Sequence, residues 1–449
     1  MQYISLLDYV ILPFVLAIIY IIAYNFRNRN YPKKHPWRKY FIPALSVKIF
    51  GAIFISMIYA YYYKGGDTFI FFNHARVINS AFDESATKWF NLLFHIPSSY
   101  DGAYYNYISQ MEWYSDPASY TVGAVGAFFS IFTLNTFLPT AVLFAGLSFT
   151  GMWALFRTFA SLNPRLTRPI AIAILFIPSV FIWGSGIFKD TICIFALGWL
   201  TFTTFRFLVK KDFRLSNFVI AILSFLLIAT VKIYIILSFV PALLMWILFN
   251  YSQKIANPLL KPLIKLFFIS LVIVGFLFFM QRFTNELGRY SLERLSQTAK
   301  YTGGYIYWAS GEEGSTYSLG EFEPNISNML TKFPLAVNVT FFRPYLWEAK
   351  KLIVGLSAIE AFVFLFLTLK VLFSIRPLKL WKTISTDPTI QFCLIFSIIF
   401  AFAVGISSYN FGALSRYKIP CLPFYVLALI LIYYKNKPLD KKLFGLVNL

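Results

Sequence analysis

The sequence predicts an all-α integral membrane protein, a polytopic bundle of about 11–13 membrane segments. Of its 449 residues, 58% are hydrophobic and only 13% are charged, whereas a soluble domain is about a quarter charged. Apolar runs long enough to cross a membrane recur along the whole chain. Backbone polar groups inside lipid must be satisfied within the segment, so these runs are predicted to be helices.

Charge between the spans predicts their orientation. Short basic loops at 27–39, 210–214, 254–265, 376–382 and 435–442 are expected to be cytoplasmic by the positive-inside rule. The first apolar run lacks a basic leader and a small-residue cleavage site, so we expect it to remain as a span. The predicted spans are 8–26, 41–63, 119–135, 137–156, 169–184, 188–208, 217–231, 233–250, 263–281, 352–374, 389–407 and 419–434.

Two long polar segments, 64–118 and 282–351, hold most of the 19 acidic residues. Since the basic loops are predicted to be cytoplasmic, both segments are expected on the outer face. They are rich in aromatic residues, as is typical of interfacial helices. Gly303-Gly304 and residues 311–315 predict a mobile loop in the second segment. We expect all of 1–449 to form one membrane domain.

One stretch conflicts with this topology. Alternation of spans from the first loop places 157–168 outside, yet Arg157, Arg165 and Arg168 favour the inside. Either a stretch between 64 and 135 is re-entrant, or 119–135 does not fully span, and both alternatives stay open at this point.

The net charge of +21 does not indicate nucleic-acid binding, because the cations are scattered in short loops. The three cysteines lie in or beside apolar runs and are predicted to be small buried hydrophobic residues. The three histidines lack the spacing of metal ligands. We therefore predict no zinc site from these residues.

Ionisable residues within a membrane are costly and indicate function. Five charged groups map to the predicted outer ends of spans, and their convergence on one face is the argument for a site. Their members are Asp67; Lys189 with Asp190; Lys232 with Tyr234; Arg343 with Glu348; and Arg416, Tyr417 and Lys418.

Together these cations predict a pocket for an anionic headgroup at the outer leaflet. Arginine offers phosphate a bidentate fork and lysine a point charge. A polyprenyl phosphate or diphosphate carrying a sugar is the expected ligand at that depth. Asp67 is then predicted to be the general base, or a carboxylate that anchors a metal, for attack on the anomeric carbon.

Each group also has a structural explanation. Asp67 could cap a helix, Lys189 could reach the interface, and Asp190 could be an N-cap. Arg343 and Glu348 could form a local ion pair, and the cations at 416 and 418 could anchor the interface. Lys232 is harder to explain in this way, because apolar residues flank it on both sides.

These residues resemble the GT-C-type membrane glycosyltransferases. A carboxylate in the first large outer loop is typical of that family, and here it stands in Gly-Gly-Asp-Thr at 65–68 with Phe72 downstream. The Arg-Tyr-Lys-Ile-Pro element at 416–420 looks like the Arg-Tyr-x-x-Pro ending of many members. Residues 178–190 and 343–348 look similar to bacterial cell-envelope polysaccharide proteins, including O-antigen polymerase-like ones. By motif the resemblance covers only a small part of the chain.

The resemblance implies transfer of a sugar from a polyprenyl-linked donor to a saccharide, lipid or protein acceptor, in the cytoplasmic membrane of a bacterium. The family more usually has two adjacent acidic residues where this chain has Asp67 alone, so a divalent cation is not supported by the motif. Two alternatives remain: a polysaccharide polymerase, and a transporter or flippase for an anionic or lipid-linked substrate. Transport would use charges within the spans, for which Lys48 and Glu360 are the main candidates.

Overall fold

The structure is a computed structural model that describes residues 3–255, 257, 260–282, 294–309, 315–320, 323, 325–438, 442–444 and 447–448. In this part of the chain it contains 20 α-helices and one pair of two-residue strands, Lys442–Leu443 with Val447–Asn448. The predicted all-α membrane fold is confirmed. The chain divides into two compact units, Met1–Ile233 and Tyr234–Leu449, and each is described by itself.

Within the described residues, eight helices are long and apolar enough to cross a membrane, and one pair bent by 68° would make a ninth. This number is lower than the predicted 11–13 for three reasons. Two predicted spans, 119–135 and 169–184, form helices too short to count. Residues 217–231 and 233–250 belong to one 38-residue helix, Leu215–Ser252, whose backbone is non-helical at Lys232.

The N-terminal unit is built on four long helices: α1 (Leu6–Asn30), α2 (Arg38–Met57, continued by a π-helical turn to Tyr62), α7 (Phe137–Leu162) and α10 (Lys189–Lys210). The first polar segment supplies α3 (Asp67–Ser80), α4 (Ala86–Leu93) and α5 (Tyr105–Ile108). It is followed by α6 (Pro117–Ile131), then after α7 by α8 (Thr167–Leu175) and α9 (Pro178–Trp183), and the unit ends in α11 (Leu215–Ser252), which continues into the second unit.

Helices α1 and α7 run in the same direction. Near the start of both, the Leu138 amide donates to the buried Asp8 carboxylate at 2.7 Å. Near the end of both, Trp153 Nε1 donates to the Tyr31 hydroxyl at 2.8 Å. Residues 157–168 therefore lie at the same end of the unit as the basic loop 27–39, which agrees with their charge.

The segment 119–135 accounts for the conflict in the predicted topology. Its helix, α6, has 15 residues, or about 22 Å, which is shorter than a hydrocarbon core of about 30 Å. It packs alongside α3, where the Asn79 side-chain amide donates to the Ala127 carbonyl and to Ser130 Oγ. A helix too short to span and a re-entrant pair formed by α3 and α6 both agree with this arrangement, so the two alternatives stay open.

Lys48 stabilises the interrupted segment formed by α8 and α9. Its ammonium, 2% exposed, donates to the carbonyls of Val180 and Gly184 at 3.0 and 2.8 Å, and to Ser148 Oγ at 3.0 Å. Carbonyls at the end of a helix have no partner within the helix, and those in a membrane need one from elsewhere in the protein. Lys48 supplies it.

Glycines allow the helices of this unit to approach closely. A Cβ atom at Gly51 would overlap the Phe181 carbonyl, and one at Gly198 would overlap the backbone of Gly151. Small residues at helix contacts are typical of membrane proteins, where association depends on close packing.

The C-terminal unit continues with α12 (Leu260–Arg282), α13 (Leu295–Ala309), α14 (Ile326–Thr331), α15 (Phe333–Phe342) and α16 (Leu352–Ser374). It ends with α17 (Pro377–Thr386), α18 (Pro388–Ser408), α19 (Phe411–Tyr417) and α20 (Leu422–Asn436). Gly303 and Gly304 are helical residues of α13, so the predicted loop is wrong at this point. Residues 311–314 of that prediction lie outside the described residues.

The parallel course of α1 and α7 gives a test of topology. Cysteine at Ser98, an exposed position near the first residues of α6, should react with an impermeant thiol reagent added to intact cells. Cysteine at Pro164, exposed just after α7, should react only after permeabilisation, because this end is basic. Mass-shift labelling measures both. The native cysteines are buried and give little background. Labelling of Pro164→Cys in intact cells would reverse the orientation.

Candidate functional site

Asp67 is the first residue of α3, and Gly66 occupies the N-cap position. Gly66 has φ +123°, and a Cβ there would overlap the ring of Tyr59. Only glycine therefore fits where the backbone passes this close to Tyr59. Tyr59 in turn packs against Phe188, the residue before α10, with ring centroids 5.3 Å apart. The Gly-Gly pair thus holds the half-buried Asp67 near the start of α10.

Lys189 begins α10 and forms an ion pair with Asp116, at 2.9 Å. Asp116 is the N-cap of α6 and also accepts from the Ser119 amide at 3.1 Å. Burial raises the pKa of the Asp116 carboxyl, but the hydrogen bonds from Ser119 and Lys189 outweigh burial and lower it overall. Lys189 also lies over the Phe71 ring of α3, 5.9 Å from its centroid, so it joins α3, α6 and α10.

Lys232 forms a buried ion pair with Asp190. The Asp190 side chain is fully buried and that of Lys232 is 8% exposed. The non-helical backbone of α11 falls on Lys232 itself. Two residues predicted as separate members of the site are therefore direct partners, 42 positions apart in sequence.

His74 belongs to α3, where its side chain faces Gly123 of α6, and it was not among the predicted site residues. Its Nε2 accepts from the Trp113 amide at 3.3 Å, so the proton of the neutral ring is on Nδ1. Within the described residues Nδ1 has no hydrogen-bond partner although it is buried. Burial lowers the pKa of His74 to about 4, which keeps the ring neutral at physiological pH.

In the C-terminal unit, Arg343 and Glu348 form an ion pair with each other. This is the structural explanation that the sequence offered for these two residues. Arg343 Nε donates to both carboxylate oxygens, at 3.1 and 3.0 Å, and Nη2 also donates to Glu348. Burial raises the pKa of the Glu348 carboxyl, but the bonds from Arg343 and the Tyr345 amide outweigh it and lower that pKa. The guanidinium lies over the rings of Tyr317, Tyr345 and Phe411, 5.3–5.8 Å from their centroids.

Phe411 connects this ion pair to the Arg416–Lys418 element, because α19 runs from Phe411 to Tyr417. The second polar segment also reaches this helix, where the Phe411 amide donates to the Ser315 carbonyl at 2.8 Å. Lys418 follows α19 and is fully buried, and its Nζ has no hydrogen-bond partner within the described residues. Glu360 of α16, itself buried, interacts with it electrostatically.

The structure thus forms two groups from the predicted residues, one in each unit. The N-terminal unit gathers Asp67, Lys189, Asp190 and Lys232, together with Asp116, which the prediction missed. The C-terminal unit gathers Arg343, Glu348, Arg416, Tyr417 and Lys418. Tyr234 also belongs to this unit and packs on Phe400 of α18, with ring centroids 5.6 Å apart. That all of them line one pocket stays a prediction.

Neither group contains a cluster of metal ligands. Across the described residues, no three His, Cys, Asp or Glu side chains come together in an arrangement that could hold a metal ion. No protein-family model matches the chain, and no curated protein or solved structure is significantly similar to it. The function must therefore be argued from these side chains.

The Lys232–Asp190 pair predicts a specific pattern of stability. Lys232→Met leaves the Asp190 carboxylate buried without a counter-charge and should destabilise the protein by about 3–5 kcal/mol. The double variant Asp190→Asn/Lys232→Met should recover most of this loss, because neither charge remains. Thermal unfolding in detergent measures both.

Lys88→Met is the matched control, since Lys88 and Glu84 form a more exposed pair that should contribute only about 0–1 kcal/mol. Equal destabilisation by Lys88→Met and Lys232→Met would contradict the importance of burial. A double variant no more stable than Lys232→Met would show that Lys232 acts through other contacts.

Proposed function

We propose that the protein transfers a sugar from a polyprenyl phosphate or diphosphate to an acceptor hydroxyl on the outer face of a bacterial cytoplasmic membrane. The observation that carries this proposal is that Asp67 and the pairs Lys189–Asp116 and Lys232–Asp190 lie at the same end of the N-terminal unit. That end is opposite to the basic loops, which are predicted to be cytoplasmic.

In the proposed step the acceptor oxygen attacks the anomeric carbon of the donor. The bond between this carbon and the phosphate oxygen breaks, and the phosphate leaves with the electron pair. Asp67 accepts the proton of the acceptor hydroxyl as general base. Nearby cations would stabilise the charge that develops on the leaving phosphate.

The ion pairs support this role because they hold the cations in place before substrate binds. Lys189 and Arg343 each have a carboxylate partner at a distance of about 3 Å. In the N-terminal unit, a phosphate oxygen could take over the hydrogen bond that Asp116 now accepts from Lys189. In the C-terminal unit, Arg343 is separately suited to bidentate contact with phosphate. Preorganised donors favour the transition state because they need little rearrangement during the reaction.

Transport of an anionic or lipid-linked substrate is a second candidate. It is favoured by Glu360 and Lys418, which are buried in the C-terminal unit, since charges inside a membrane often mark a transport path. Lys48, the other candidate from sequence, contributes less to this alternative. Its three hydrogen bonds stabilise the interrupted segment α8–α9.

Asp67→Asn tests the proposed base. The change retains the size of the side chain but removes its charge and its basicity. We expect turnover to fall by about 10²–10⁴, the usual scale for a positioned acid–base group. Stability should change by at most about 1 kcal/mol, from the interaction of the carboxylate with the start of α3. Transfer from a synthetic lipid-linked sugar in detergent gives the rate.

Asp101→Asn is the control, because Asp101 also lies at a helix start in the first polar segment, where it accepts from the Ala103 amide at 3.0 Å. It should retain wild-type turnover. An Asp67→Asn variant within twofold of wild type would leave Asp67 a structural residue. Product length separates the transferase from a polymerase, and uptake into vesicles without transfer would favour transport.

A further inference from the structure

A basic cleft of about 730 Å³ lies at the end of the N-terminal unit opposite Asp67. It is formed by the end of α1, the loop after it, the start of α2 and the segment that enters α8. Seven cations line it: Arg27, Lys33, Lys34, Arg38, Lys39, Arg165 and Arg168. No acidic side chain lines it.

The cations of this cleft differ from those at the other end of the unit. Lys189 and Lys232 are neutralised by carboxylates, whereas none of the seven forms an ion pair with a described residue. Like charges that share one cavity repel each other. An anion bound among the seven cations would remove this repulsion. Cations that are merely scattered over a cytoplasmic surface would not need such a counter-ion.

Two of the arginines are held in place by contacts within the protein, which indicates a defined binding site and not a diffuse positive surface. Arg38 is held by two hydrogen bonds of 2.6 Å, from Nη1 to the Tyr31 carbonyl and from Nη2 to the Asn28 side chain. Arg27 Nε is buried and has no hydrogen-bond partner among the described residues. Arg27 is itself held in place, since its Nη2 donates to the Asn28 side chain at 3.1 Å and its guanidinium lies over the Tyr24 ring, 4.6 Å from the centroid.

The other lining residues indicate that the anion is carried by a lipid. Tyr24, Tyr40, Ile42 and Pro43 border the cleft on the side of the helices. Ile22, just before Tyr24 on α1, is 62% exposed, and such a face in a membrane helix contacts acyl chains. Cations at the end of an apolar face match the polar and apolar parts of a phospholipid.

We propose that this cleft binds the phosphate headgroup of an anionic phospholipid, with the acyl chains along the exposed face of α1. The ligand is held by the charge of the seven cations, and the volume of the cleft falls in the range of about 300–1,000 Å³ that is usual for ligand sites. The proposal does not depend on the transferase activity, because the cleft and Asp67 lie at opposite ends of the unit.

Native mass spectrometry in neutral detergent tests it, with phosphatidylglycerol as the probe, phosphatidylcholine as the zwitterionic lipid and inorganic pyrophosphate as the soluble anion. Arg165→Gln/Arg168→Gln should weaken binding of phosphatidylglycerol about 30-fold, since each cation near an anionic headgroup contributes a factor of about 5. The control Lys210→Gln/Lys211→Gln removes the same charge from exposed positions outside the cleft and should leave binding nearly unchanged.

Equal losses in both double variants would reduce the cleft to part of a diffuse positive surface and overturn the proposal. Pyrophosphate binding as tight as that of phosphatidylglycerol would assign the cleft to a soluble anion instead. Equal binding of phosphatidylcholine would remove the role of charge. If the arginine variant does not fold, Lys33→Gln/Lys34→Gln in the exposed loop replaces it, with the same expected direction.

Discussion

The N-terminal unit depends on the hydrogen bonds of Lys48. The segment α8–α9 breaks its helix between the two parts, and in a membrane the carbonyls at such a break need a partner from the protein. Lys48 reaches two carbonyls at the C-terminal end of the short helix α9, those of Val180 and Gly184, and also Ser148 of α7. One ammonium thus joins α2, α7 and α9. The close contact of Gly51 with Phe181 brings α2 near enough for this to occur.

The charged groups at the Asp67 end also need partners from the protein, because burial makes an unpaired ion costly. The buried pair Lys232–Asp190 meets this requirement, and the part-exposed pair Lys189–Asp116 lies beside it, because Lys189 and Asp190 are both in the first turn of α10. The carboxylate of Asp190 lies at a helix start, where negative charge is favoured. A substrate phosphate here would compete with the carboxylates that already bind the two lysines. The lysines would therefore have to exchange a carboxylate partner for the phosphate, because neither of them is free. This gives the ion pairs a structural role whether or not the protein is a transferase.

Most of the helices could be predicted from the sequence, because apolar runs report directly on burial in lipid. The continuity of a helix could not: 169–184 is apolar throughout, yet its helix breaks just before Pro178. Hydropathy also did not show that 119–135 is too short to span, although the arginines at 157–168 indicated an error nearby. In the site, Lys232 and Asp190 were both predicted from their cost in a membrane, but their pairing depends on how distant helices pack. Asp116 was missed, although Asp-Pro at 116–117 is a usual helix start.

The two ends of the N-terminal unit hold their cations in different ways, and the orientation predicted from charge gives a reason. Cations on the cytoplasmic side help to orient a membrane protein during insertion, and acidic residues contribute little to this. Carboxylate partners are therefore not needed at the basic end for orientation, whereas the buried Lys232 at the Asp67 end needs one for stability. Once the protein is folded, the basic loops 27–39 and 157–168 are brought together because α1 and α7 run parallel. Charges that serve insertion separately thus become one cationic cleft, whose repulsion an anionic headgroup relieves.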